Sequence, residues 1–246
     1  MLLMVSLVQI QTALAVGELL EYHCLGNLNL YDAPALQSLA TQAVAGRQLR
    51  LATGVELDSK AQAIPVQLCE DDYPGWIATE DLDLLEVAEA TYQPLVLAEA
   101  EIRARLPQVI AYTHQAMMQP NHYLWGGTVG PNYDCSGLMQ TAFAVAGIWL
   151  PRDAYQQEAF VQPVQLDQLE PGDLVFFGRP DRATHVGLYL GEGYYIHSSG
   201  KDQGRNGIGI DVLSEQGDAV SQAYYRQLRG AGRVVASYIP QADRTV

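Results

Sequence analysis

Positive charge is scarce in this chain. Its 246 residues carry 14 Lys and Arg against 28 Asp and Glu, a formal net charge of −14, and no Lys or Arg occurs before Arg47. That balance argues against a nucleic-acid partner and against electrostatic capture by anionic wall polymers or membrane surfaces. It suits a soluble enzyme that meets a small substrate. Cysteine is scarce too. Three residues, Cys24, Cys69 and Cys135, are an odd number, and a nucleophilic thiol must stay reduced, so a disulfide framework is not expected and the cytoplasm is favoured. Long apolar runs are missing, and no stretch reads as a bilayer span. The start, Met1 to Val8 followed by Ala13-Leu14-Ala15, imitates a signal peptide. It has no positive n-region, and Gln9, Gln11 and Thr12 interrupt it, so a cytoplasmic protein is expected over an exported one.

What is present centres on Cys135. Asp134-Cys135-Ser136-Gly137 is followed by Leu138, Met139, Ala142, Phe143 and Ala146 at helical spacing, with Gly147 as a stop. The pattern predicts a helix with Asp134 as N-cap and Cys135 in the first turn. There, unpaired backbone N–H groups and the helix dipole favour a thiolate.

Two histidines complete a cysteine-hydrolase outline. His185, Gly187 and Tyr189 alternate with Val186, Leu188 and Leu190 as a half-buried strand does. Gly191-Glu192-Gly193 turns the chain, and Tyr195-Ile196-His197 returns. A turn centred on Glu192 places His197 opposite Gly187, so that His185 and His197 are diagonal neighbours on one face. A two-residue loop instead places them on opposite faces. Cys24 and Cys69 read as small buried hydrophobes. His23, His114 and His122 read as structural or solvated. A zinc site is the other chemistry for one Cys and two His, but close ligand pairs of the usual spacing are absent, so no metal and no cofactor is expected.

These residues resemble the NlpC/P60 family of papain-like cysteine peptidases. The likeness runs from about Leu95 to Ile239 through Tyr123-Leu-Trp-Gly-Gly, Asp134-Cys-Ser-Gly, Pro151-Arg-Asp, Pro171-Gly-Asp-Leu-Val-Phe-Phe, Thr184-His-Val-Gly-Leu-Tyr-Leu-Gly and Tyr195-Ile-His. The resemblance implies Cys135 as nucleophile, His185 as general base and His197 as the residue that orients it. It also implies cleavage between γ-D-glutamyl and meso-diaminopimelate or Lys in murein peptides.

Ahead of this region the chain resembles a bacterial SH3-like barrel, on Leu28-Asn-Leu-Tyr-Asp-Ala-Pro34, Gln48-Leu-Arg-Leu51, Ile64-Pro-Val-Gln-Leu68 and Pro74-Gly-Trp-Ile-Ala. The expected fold class is α+β, a small SH3-like β-barrel at 16–86 and a papain-like domain of helices on an antiparallel sheet at 109–240. A linker helix region at 87–108 joins them, and a second helix begins near Pro107. Such an architecture resembles γ-D-glutamyl-L-diamino acid endopeptidases acting on soluble peptides with a free L-Ala amino terminus. Tyr123, Asp134, Ser136 and, from the small domain, Tyr73 are the implied substrate-binding residues, with Asp134 both capping its helix and pairing with the substrate ammonium. The expected partner is a small murein peptide met by a monomer, in wall-peptide recycling. An exported wall-remodelling hydrolase and a non-catalytic wall-fragment binding module are the alternatives. No role is assigned to Asp153 or to the loop Gly204-Arg-Asn-Gly-Ile-Gly209.

Overall fold

The structure is a computed structural model and describes residues 5–16, 20–52, 57–58 and 60–241; Met1 to Met4, the first part of the apolar start, lie outside these. The chain divides into two compact units, residues 1–94 with 239–246, and residues 95–238. Among the described residues no helix is long and apolar enough to cross a membrane.

The first unit opens with helix α1 (Leu7–Ala15) and continues as strands β1 (Glu21–Cys24), β2 (Leu28–Tyr31), β3 (Leu39–Ala43), β4 (Gln48–Leu51), β5 (Ala63–Leu68), β6 (Pro74–Ala78) and β7 (Leu85–Val87). They form an antiparallel sheet in the order β3-β2-β6-β5-β4-β1-β7. Inward residues Tyr22, Leu28, Leu30, Leu49, Ile64, Leu68 and Ile77 make its core, and each such side chain contributes about 1.5–3 kcal/mol on burial. The Gly75-Trp76 pair has a packing reason. Trp76 faces Tyr31 across β2 and β6, and a Cβ on Gly75 would meet Leu30 Cβ at 2.9 Å. Buried Arg47 meets Glu70 and Asp71, each at 3.0 Å. That pairing compensates charge at the start of the loop carrying Tyr73, whose ring packs against this unit's core.

The second unit contains α2 (Glu99–Met118), α3 (Cys135–Val145), α4 (Ala154–Phe160), β8 (Gln162–Val164), β9 (Leu174–Gly178), β10 (Ala183–Gly191), β11 (Tyr194–Ser199), β12 (Gly207–Val212), α5 (Ala219–Tyr225) and β13 (Leu228–Arg233). Its antiparallel sheet runs β12-β11-β10-β9-β13-β8. Alternation in β9 serves two cores. Leu174 and Phe176 join Ile102, Val109, Leu138 and Phe143 of α2 and α3, whereas Val175 and Phe177 join Tyr195 and Tyr224. The expected break at Pro107 is absent, and α2 is one helix. Pro107 is exposed while Ile102, Val109, Thr113 and Ala116 are buried. The carbonyl deprived of its donor therefore faces water, and packing of the other face holds the helix through the proline.

The β10–β11 hairpin combines the two registers considered from the sequence. Gly191 faces Tyr194 across a two-residue loop, with Glu192 and Gly193 at φ 52° and 81°, as a type I′ turn requires. A bulge between Tyr189 and Gly191 then shifts the pairing by one, so that Tyr189 faces Tyr195 and Leu188 faces Ile196. The extra residue brings both histidines back to one face.

Candidate active site

Cys135 is the first residue of α3 and is 6% exposed. Asp134 caps the helix, its Oδ1 accepting the Gly137 N–H at 2.6 Å. The two glycine-bearing segments, Trp125-Gly-Gly and Asp134-Cys-Ser-Gly, are halves of one contact. The Asp134 N–H donates to Gly127 O at 3.2 Å, and a Cβ on Gly137 would lie 2.0 Å from that same oxygen. Only glycine lets the helix start slide beneath the loop.

Asp134 serves this junction. Its Oδ2 accepts the Gly126 N–H at 2.9 Å and Arg152 Nη2 at 2.6 Å, while Oδ1 accepts Arg152 Nη1 at 3.1 Å. Arg152, 2% exposed, also donates to Ser136 Oγ at 3.0 Å. A fully buried guanidinium thus engages this carboxylate in a bidentate pair. The Ser136 hydroxyl lies between Asp134 and Arg152. Arg152 was visible in the sequence only as part of Pro151-Arg-Asp.

The sulfur of Cys135 accepts hydrogen bonds from the backbone N–H groups of Val186 and Ser136, which places it beside β10 next to His185. Burial, then the Asp134 carboxylate, nevertheless pushes the thiol up to about 12; those hydrogen bonds and Arg152 oppose the shift. Burial, then His197, pushes the His185 imidazole well below its ordinary range. Desolvation thus opposes the helix dipole at this sulfur and disfavours the charged form of both groups.

His185, His197 and Asp211 form a row across β10, β11 and β12. His185 Nε2 and His197 Nδ1 are 2.6 Å apart, and His197 Nε2 and Asp211 Oδ2 are 2.6 Å apart. His197 faces Gly209 in β12, and a Cβ on Gly187 in β10 would stand 3.2 Å from His197 Cβ. Each partner is thus two residues off the opposed position, on the diagonal, and glycine occupies the opposed positions themselves. Aromatic rings wall the row. Tyr224 stacks on His185 at 4.3 Å and meets His197 edge-on at 4.9 Å; Phe177 and Tyr195 flank them. Burial lowers His197, opposed by Asp211.

Tyr123 lies half-buried in this neighbourhood, where burial and then Cys135 raise its hydroxyl. Tyr73 belongs to the first unit, where its N–H donates to Asp71. Asp211 and Tyr224 were missed from the sequence. The signal for Asp211 was the alternation Gly207-Ile-Gly-Ile-Asp211, which sets it on one strand face with two glycines. Among the described residues no group of three or more His, Cys, Asp or Glu is disposed to hold a metal ion.

Over 95 residues this chain is 40% identical to the γ-D-glutamyl-L-lysine dipeptidyl-peptidase of Bacillus subtilis, covering 37% of this chain and 30% of that protein. The probable endopeptidase p60 of Listeria monocytogenes is 38% identical over 112 residues, 46% of this chain and 21% of that one. The chain thus spans less than a third of the length of these curated relatives. A solved NlpC/P60 family protein from Bacillus cereus superposes with a TM-score of 0.48 at 22% identity, over 92% of this chain and 66% of that one. Residues 120–229 match the NlpC/P60 family, and residues 30–82 match the bacterial dipeptidyl-peptidase SH3 domain.

Proposed function

We propose that this protein is a cysteine endopeptidase that cleaves the bond between γ-D-glutamyl and a diamino acid in murein peptides. The observation that carries the reading is the placement of Cys135 at the start of α3, with its sulfur on the Val186 N–H beside the His185–His197–Asp211 row. The Bacillus subtilis relative, named for action on γ-D-glutamyl-L-lysine, supports the bond type.

The chemistry is acyl transfer. A carboxylate only accepts, so His197 Nε2 carries a proton toward Asp211 and its Nδ1 accepts from His185 Nε2. That leaves His185 Nδ1 as the base. It takes the Cys135 proton as the sulfur attacks the γ-glutamyl carbonyl, then gives it to the departing amine as the C–N bond breaks. Water hydrolyses the thioester with His185 again as base. The Cys135 backbone N–H, in the first turn and without an intrahelical acceptor, and the Tyr123 hydroxyl are the oxyanion donors in this reading. A free substrate amino terminus, a recycling role and a cytoplasmic location belong to the same proposal; acidic charge supports them. Mass spectrometry of products from L-Ala-γ-D-Glu-meso-diaminopimelate and its N-acetylated form tests it. Cleavage of the free peptide alone is expected. Equal cleavage of both removes the amino-terminal requirement, and cleavage of neither removes the peptidase reading.

A further inference from the structure

We propose that Arg205 is a positioning residue for the histidine row: lying across Gly209, it holds the Asp211 carboxylate and sets how much negative charge Asp211 presents to His197. The inference rests on the reading of Cys135 and His185 as the reacting pair.

The geometry is specific. Arg205 Nε donates to Asp211 Oδ2 at 3.1 Å, and Nη2 donates to Oδ1, which Ser221 Oγ also reaches at 3.2 Å. Asp211 is thus bound on one side by a guanidinium fork and on the other by His197. The glycine-rich loop before β12 makes room for that fork. A Cβ on Gly209 would come within 2.6 Å of Arg205 Cδ, 2.7 Å of Nη1 and 2.9 Å of Nε. Gly207, at φ 146°, lies where a Cβ would be 2.6 Å from Asn121 Oδ1, and that oxygen accepts the Ile208 N–H at 2.8 Å. The spacing Arg205-Asn-Gly-Ile-Gly209 therefore reads as a seat for one side chain over one strand.

The groups facing the two rings are Cys135 at the start of α3, Tyr123 in the preceding loop, Tyr195 on β11, Tyr224 on α5, Asp211 on β12 and Arg205. Asp218 lies 3.9 Å from Arg205 and is 63% exposed, so solvent screens it. Arg205 and Asp211 are then the charges that matter at neutral pH. With Arg205 in place the carboxylate orients His197 while the guanidinium offsets part of its pull. Without it, a bare buried carboxylate stabilises a proton on the histidine pair, so His185 stays protonated, and is lost as the base, up to a higher pH.

The test uses the full chain and three variants, Arg205→Met, Arg205→Lys and Gly209→Ala, whose added methyl displaces the fork without removing charge from the protein. The first readout is the pH dependence of kcat/KM on L-Ala-γ-D-Glu-meso-diaminopimelate. The second, independent of substrate, is the pH dependence of Cys135 alkylation by iodoacetamide, read by peptide mapping. The third is ¹⁵N NMR of the His197 ring. Arg205→Met and Gly209→Ala are expected to move the acid limb and the alkylation profile upward by about one pH unit, the size of a neighbouring-charge effect. Arg205→Lys keeps the limb in place, and the His197 proton sits on Nε2. An alkylation profile that moves while the wild type fails to cleave the peptide supports the positioning role and removes the reaction instead. Profiles within about 0.3 unit of wild type in folded Arg205→Met and Gly209→Ala overturn the proposal, as does a His197 proton on Nδ1. Should Arg205→Met not fold, Gly209→Ala against Arg205→Lys decides the same question.

Discussion

Arg152 offers the sharpest test of how the nucleophile is held. Its guanidinium is 2% exposed, bidentate to Asp134 and bonded to Ser136. Arg152→Met keeps most of the volume but leaves Asp134 as a buried carboxylate with two backbone donors and the Ser136 hydroxyl, and no countercharge. Removing one partner of a buried pair destabilises by about 3–5 kcal/mol, because the remaining charge stays desolvated. For a unit of this size that corresponds to a fall in Tm of roughly 8–16 °C in the transition of the second unit. Calorimetry with urea unfolding measures it, each unit's transition being fitted separately. The double variant Arg152→Met/Asp134→Asn removes both charges and keeps a competent N-cap, so it is expected to recover a large part of the loss. A single-variant loss below about 1 kcal/mol, the range of an exposed pair, would refute the reasoning.

Three further outcomes follow from the site. His185→Gln should slow alkylation of Cys135 at pH 7 by roughly tenfold or more while leaving Cys24 and Cys69 unchanged, since a buried thiol loses its proton only to a base; equal labelling of Cys135 contradicts this. Gly187→Ala sets a methyl 2.7 Å from Tyr195 Cδ2 and 3.1 Å from Ile196 O, and a loss of about 1–3 kcal/mol in urea unfolding is expected from overpacking; a neutral change is not compatible with the register described. Tyr224→Phe keeps the ring stacked on His185 and should hold kcat within about threefold, whereas Tyr224→Ala removes a wall of the site and should lower kcat by roughly 10–100-fold; equal effects would mean that the hydroxyl bonded to Ser199 matters instead.

The sequence made the start of α3 legible because helical spacing and an Asp cap are local signals. The hairpin was legible in outline only. Glu192-Gly193 gives a two-residue turn, and the same-face pairing of the histidines depends on a bulge that no residue type announces. Pro107 misled because its solvent-facing position is a tertiary fact. The pairing of Asp134 with Arg152 was not legible for a related reason: Arg152 is brought from the next segment only by folding. Asp211, Arg205 and Tyr224 come from β12, its preceding loop and α5. Their convergence on His197 follows from strand order, which local patterning does not contain. The glycines at 187, 207 and 209 were visible, but their reason, room for rings and a guanidinium, was not.

The central claim is that Cys135 carries the acyl group. Acid-quenched turnover of L-Ala-γ-D-Glu-meso-diaminopimelate, followed by peptide mapping, tests it most directly. The account predicts an L-alanyl-γ-D-glutamyl adduct on the Cys135 peptide that hydroxylamine removes and that Cys135→Ala never forms. Turnover by Cys135→Ala, or an adduct on another residue, would contradict it.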